Sequence, residues 1–93
     1  MVLKMADDKQ NRESMREAIE TLNQIATNHS TPKTIKKSIS DLIVELNNEG
    51  YSLSVRAANT ISLLDDVTQD PNMPSYVRTQ LWQAVSKLES IRE

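Results

Sequence analysis

The 93-residue chain has no cysteine and no phenylalanine, one glycine, one histidine and three prolines. Without cysteine there is no disulfide, no thiolate nucleophile and no thiolate metal ligand, which fits a cytosolic setting. The lone histidine, His29, has no Cys beside it and no Ser or Cys partner at a recognisable spacing, so it carries neither a zinc signature nor a hydrolytic triad. It is expected in a loop, solvated or capping. No Gly-rich loop is present to cradle a phosphate. No apolar run approaches the roughly 18 residues of a membrane span, and no signal-peptide core appears. The net charge of −2 gives no global attraction to nucleic acid or to acidic membranes. Aromatic residues are sparse: only Tyr51, Tyr76 and Trp82. The composition therefore predicts no enzyme, no cofactor and no metal.

What the chain does contain is helix-forming residues in helical register. Met15, Ala18, Ile19, Leu22, Ile25 and Ala26 form one stripe. Ile35, Ile39, Leu42, Ile43 and Leu46 form a second. Leu53, Ala57, Ile61 and Leu64 form a third, and Val77, Leu81, Ala84, Val85, Leu88 and Ile91 a fourth. The breaks between them are polar or carry turn residues. Asp7 or Asp8 can cap the first helix. Thr31 followed by Pro32 reads as an N-cap and a first helical residue. Gly50 can take the left-handed conformation that ends a helix, and Ser52 or Ser54 can cap the next. Pro71 and Pro74 bracket a turn. The helices are expected at about 8–28, 32–48, 52–69 and 74–92, with residues 1–6 a flexible extension. No repeat of 20–50 residues is convincing. Short loops and four similar helices predict one domain over residues 1–93: all-α, an up-and-down antiparallel four-helix bundle. Folding the last hairpin about Asn72 predicts an ion pair of Asp65 or Asp66 with Arg78, worth about 0.2–1 kcal/mol.

Val55-Arg56-Ala57-Ala58, Ile61-Ser62-Leu63-Leu64-Asp65, Asp70-Pro71-Asn72-Met73-Pro74, Arg78-Thr79, Trp82 and Val85 to Ile91 together resemble an archaeal family of short proteins, uncharacterised protein family 0147. The resemblance is sharpest over residues 55–92. It implies an archaeal source and a small helical bundle. It implies no activity and transfers no site residues.

Three constellations remain. Asp65, Asp66 and Asp70 have carboxylates that suit a hard cation, but their spacing matches no calcium loop and no glycine supplies the bend. Asp70 is expected instead to cap the Pro-Asn turn. Lys33, Lys36 and Lys37 gather at a helix N-terminus, where they could hold a phosphate or an RNA backbone. Asp41 and Glu45 follow at pairing distance, and aromatics for base stacking are few. Lastly, Trp82, Leu63, Val55 and Val44 lie off the apolar stripes. A single core does not need them, so they form a candidate contact surface with Trp82 as anchor. The sequence predicts a cytoplasmic protein acting by contact, as a homo-oligomer or an adaptor for a protein partner, with no membrane role. The alternative is an RNA- or ribosome-associated accessory protein using the lysine cluster.

Overall fold

Three loops of one construction set the architecture of this computed structural model, which describes the backbone of residues 2–91 and the side chains of residues 9–91. They join α1 (Val2–Thr27), α2 (Lys33–Leu46), α3 (Leu53–Thr68) and α4 (Ser75–Glu89). In each loop an Asn or Asp closes the preceding helix, then turns the chain. Asn28, Asn48 and Asp70 donate their N–H to the carbonyls of Ile25, Glu45 and Val67. Their own carbonyls accept from the N–H groups of Thr31, Tyr51 and Met73. Their side-chain oxygens accept from Ser30, Gly50 and Asn72, each at 2.9 Å. This is an Asx turn used three times, the short Asn or Asp side chain standing in for a backbone turn.

An arginine completes two of the three. Arg56 donates from its guanidinium to the Leu46 carbonyl at 3.0 Å. Arg78 donates to the Thr68 carbonyl at 3.1 Å and to the Asp70 carbonyl at 3.4 Å. Each arginine lies eight residues after its Asx residue and bonds a carbonyl at the end of the preceding helix, Leu46 or Thr68, one of the groups a helix end leaves without helical partners. The predicted pair of Asp65 or Asp66 with Arg78 is therefore not formed: both aspartates are exposed, and the guanidinium is turned to the chain end instead. Lys36 stands eight residues after Asn28, in the place of the two arginines.

The loop geometry corrects several sequence expectations. Pro32 and Pro74 are the N-cap residues themselves, in extended conformation, and not the first helical residues. Thr31 does not cap α2; it is buried, and its hydroxyl has no hydrogen-bond partner. Gly50 does not have a positive φ. Its small size matters for a different reason: a Cβ there would meet Asn48 Oδ1 at 3.1 Å, the same oxygen that its N–H approaches. Ser52 caps α3 as expected, accepting from the Val55 N–H at 3.3 Å.

α1 begins at Val2, well before the expected Asp8, because Leu3 to Ala6 contain no breaker and extend an existing helix cheaply. The helical backbone from Val2 replaces the flexible extension expected over residues 1–6; its first residue, Met1, and the Asp7 and Asp8 caps lie outside the residues or side chains described. α4 ends at Glu89, not near residue 92. Ser90 and Ile91 donate to the Lys87 and Leu88 carbonyls three residues back, which tightens and stops the helix.

The four helices go round a square. α1 packs on α2 and α4, α3 packs on the same two, and α1 comes near α3 across one diagonal; among the described residues the backbones of α2 and α4 stay farther apart across the other. The core takes the four predicted stripes: Met15, Ala18, Leu22 and Ile25; Ile35, Ile39, Leu42 and Leu46; Ala57 and Leu64; Val77, Leu81, Ala84, Leu88 and Ile91. Met73 joins them from the last loop, and Ile19, Ala26, Ile43, Leu53, Ile61, Val67 and Val85 seal the edges. Thr60 is fully buried, with its hydroxyl unpaired. Such a group costs about 1–3 kcal/mol. Thr60→Val keeps the branched shape and removes the hydroxyl, so urea unfolding is expected to show about 1 kcal/mol more stability; a less stable variant would show that the hydroxyl is bonded after all.

Candidate interaction surface

Among the described residues, six large apolar side chains stay outside this core. Val44 is 70% exposed, Trp82 62%, Tyr51 53%, Leu63 44% and Val55 42%, with Tyr76 close to these values. The sequence singled out four of them; Tyr51 and Tyr76 it missed as surface residues. The signal for Tyr51 is the loop repeat, which becomes visible only when the three turns are aligned on Asn28, Asn48 and Asp70.

That alignment explains the exposure. Tyr51 and Val55 correspond to Thr31 and Ile35 in the first turn and to Met73 and Val77 in the last, all four of which are buried. In an up-and-down bundle that goes round a square, consecutive hairpins turn opposite faces to the core. Loops of one geometry then carry the same positions inward in the first and third hairpins and outward in the second. Tyr51 and Val55 are on the outside because the α2–α3 hairpin is seated the other way round.

The six residues do not form one patch. Trp82 follows Arg78 by four residues and so shares its flank of α4, the flank turned to α3. Leu63 follows Arg56 by seven and shares its flank of α3, which is turned to α2. Trp82 and Leu63 thus stand on opposite sides of α3. Val44 lies two residues, or about 200° of helical turn, from both Leu42 and Leu46, and Val55 stands in the same relation to Ala57. Each points away from the core of its own helix. Counted outward from Leu46 and Leu53, Val44 and Val55 come level along the bundle axis. Val44, Tyr51, Val55 and Leu63 therefore belong to the outer side of the α2–α3 hairpin, and Trp82 to that of α3–α4.

The lysine cluster is divided. Lys33 and Lys37 are exposed and Lys36 is half-buried. Lys37 Nζ stands 4.0 Å from the Asp41 carboxylate, both well solvated. Pro32 offers no side chain to the free N–H groups of α2. In the acidic group, Asp70 accepts from the Asn72 N–H as expected. Among the described residues no three His, Cys, Asp or Glu side chains stand together as a metal-ligand set. His29 is exposed in its loop.

Two open grooves flank α1. One, about 360 Å³, has Met15, Ile19 and Leu53 as its floor, with Arg12, Arg16, Glu20 and Asn47 at the rim. Arg16 is held there by Glu13 and by Glu20, the latter at 3.0 Å. Its hydrogen bond and charge lower the Glu13 pKa below the ordinary carboxylate value. Any stabilisation from this contact is present above the ordinary carboxylate range and is lost as pH falls through the lowered value. The other, about 400 Å³, is polar and lies between α1 and α4. It contains a Ser90–Ser14 hydroxyl bond of 2.9 Å and a Lys87–Glu17 ion pair of 3.1 Å. Neither groove holds a nucleophile beside a base.

A short helical chain with these turns matches the uncharacterised protein family UPF0147 over residues 2–91. The chain belongs to this family. A UPF0147 protein of Metallosphaera sedula is 40% identical over 96% of this chain and 100% of its own length. Another, from Saccharolobus solfataricus, is 39% identical over 89% of this chain and 93% of its own. One from Methanosarcina acetivorans is 39% identical over 85% and 81%. Two solved structures share the fold at a TM-score of 0.83. They are a UPF0147 protein from Thermoplasma acidophilum, 31% identical, covering 90% of this chain and 99% of that one, and the protein MMP1188, of unknown function, 35% identical, covering 88% and 93%. UPF0147 membership fixes the bundle and the archaeal kinship of the sequence. No activity comes with it. Among the described residues no helix is long and apolar enough to cross a membrane.

Proposed function

We infer that this UPF0147 protein works by contact and not by catalysis, as a self-associating scaffold or an adaptor for another protein in the archaeal cytoplasm. The observation that carries the reading is Trp82, the only tryptophan of the chain, 62% exposed on a helix whose core positions are already filled. An amphipathic ring of this size on an open flank is the side chain that most often anchors a protein interface. Trp82→Ala is expected to weaken binding of the partner protein at least tenfold while leaving the helical signal and melting temperature unchanged, since the ring contributes little to the core. Equal association of the variant and the parent would remove Trp82 from the contact.

The alternative is an RNA-associated protein using Lys33, Lys36 and Lys37. It draws support from the uncapped start of α2. It is the weaker reading, because Lys36 is half-buried and Lys37 stands near Asp41. A steep fall of affinity with salt would favour it.

A further inference from the structure

The charges of α2 run against its own dipole. The helix has no acid in its first turn and no base in its last. Lys33, Lys36 and Lys37 crowd the end that carries partial positive charge, and Asp41 and Glu45 follow toward the negative end. Within one molecule this order is unfavourable. Lys33, Lys37, Ser40 and Val44 also repeat at spacings of four, three and four residues, which makes them one straight outer stripe. All four side chains on this stripe are exposed or half-exposed, Val44 the most exposed large apolar residue described.

A helix with a basic first half and an acidic second half is complementary to itself when reversed. We propose that a second copy of this chain docks on the outer side of α2, antiparallel, with a two-fold axis near Ser40. This rests on the reading of the protein as one that acts by contact, but not on Trp82. Lys37 of one copy then comes level with Val44 of the other, between its Asp41 and Glu45. Its alkyl stem covers the valine and its ammonium meets the acids. Ser40, small and exposed, lets the helices approach at the axis. The partner's acids answer the lysines that the helix dipole disfavours, and the partner's lysines answer the acids. Val55 and Tyr51, on the same side of the α2–α3 hairpin, widen the contact.

The outer side of the α2–α3 hairpin is about 20 Å long by about 20 Å across, from helix length and two helix diameters, which is about half the roughly 800 Å² per partner of a standard interface. The dimer is therefore weak and concentration-dependent. Because its charges are only partly buried, added salt weakens it further.

The test is sedimentation velocity from micromolar to near-millimolar concentration, on the parent and two charge variants. K33E with K37E leaves this side of α2 acidic but for Lys36; D41K with E45K makes it wholly basic. All four positions are exposed or solvated, and circular dichroism confirms that each variant keeps its helices. The parent is expected to dimerise reversibly. Each variant alone is expected to be monomeric, and an equimolar mixture of the two to dimerise at least as tightly as the parent. A parent that stays monomeric overturns the proposal. So do variants that dimerise like the parent, and in that event loss of the dimer on Trp82→Ala would keep the contact reading and move it to α4. A mixture that stays monomeric overturns the antiparallel register. A monomeric parent that binds an RNA oligonucleotide, with binding lost in the acidic variant, overturns it in favour of a phosphate site.

Discussion

Leu64→Ala is expected to cost about 2–5 kcal/mol, the range for emptying a fully buried leucine site. The reason is the poverty of α3. Its only fully buried core side chains are Ala57, Thr60 and Leu64, and Thr60 brings an unpaired hydroxyl with it. Leu64 is therefore the one large side chain that seats α3 between α2 and α4, helped by Leu53, Ile61 and Val67 at the edges. A domain of this size has about 5–14 kcal/mol in total, so the loss takes at least about a seventh of it and, at the upper end of the range, most of it. At about 4–8 °C per kcal/mol the melting temperature falls by at least about 8 °C. Circular dichroism during heating or urea titration reads this directly. A loss under about 1 kcal/mol would show that α3 is held by its loops and not by its core face.

Arg78→Met is expected to cost about 1–2 kcal/mol. Methionine keeps the stem against the helix and deletes the guanidinium, so what is lost is its bonds to the Thr68 and Asp70 carbonyls. Hydrogen bonds to charged groups are worth about 1.5–3 kcal/mol, discounted here because the site is only part-buried. Asp66→Ala, by contrast, should change stability by less than about 0.5 kcal/mol, as for an ordinary exposed residue. The comparison separates helix closure from an ion pair. If Arg78 acted through Asp65 or Asp66, the aspartate variants would lose as much as Arg78→Met. Arg56→Met should behave as Arg78→Met does, because Arg56 closes α2 through the Leu46 carbonyl in the same way.

The helices were legible because burial follows period. Ile35, Ile39, Leu42 and Leu46 repeat at three and four residues, and no other arrangement hides all four. Pro32, Gly50 and Pro74 marked the turns correctly, but not what happens in them. Thr31 looked like a cap because Ser and Thr before Pro usually are; the Asx turn at Asn28 rotates it into the core instead. Arg78 is level with Asp66, yet its guanidinium bonds the part-buried Thr68 and Asp70 carbonyls at the end of α3, and the aspartate stays exposed. The exposure of Val44, Val55, Leu63 and Trp82 could be read from helical angle alone. Their separation onto two sides of α3 could not, since it depends on which flank of each helix meets its neighbour. The repeat of Asn28, Asn48 and Asp70 is hidden in the sequence because one Asx residue differs from the other two and the residues that follow share position but not identity.

Contact through Trp82 is the central claim, and capture from an archaeal lysate tests it most directly. Tagged parent and Trp82→Ala protein are each exposed to nuclease-treated and untreated lysate, and the recovered molecules are compared. The account predicts that the parent retains a protein partner after nuclease and that Trp82→Ala loses it, while untagged copies of the chain, held through α2, stay with both. Recovery of ribosomal components by both proteins, abolished by nuclease, would contradict it and move the function to Lys33, Lys36 and Lys37.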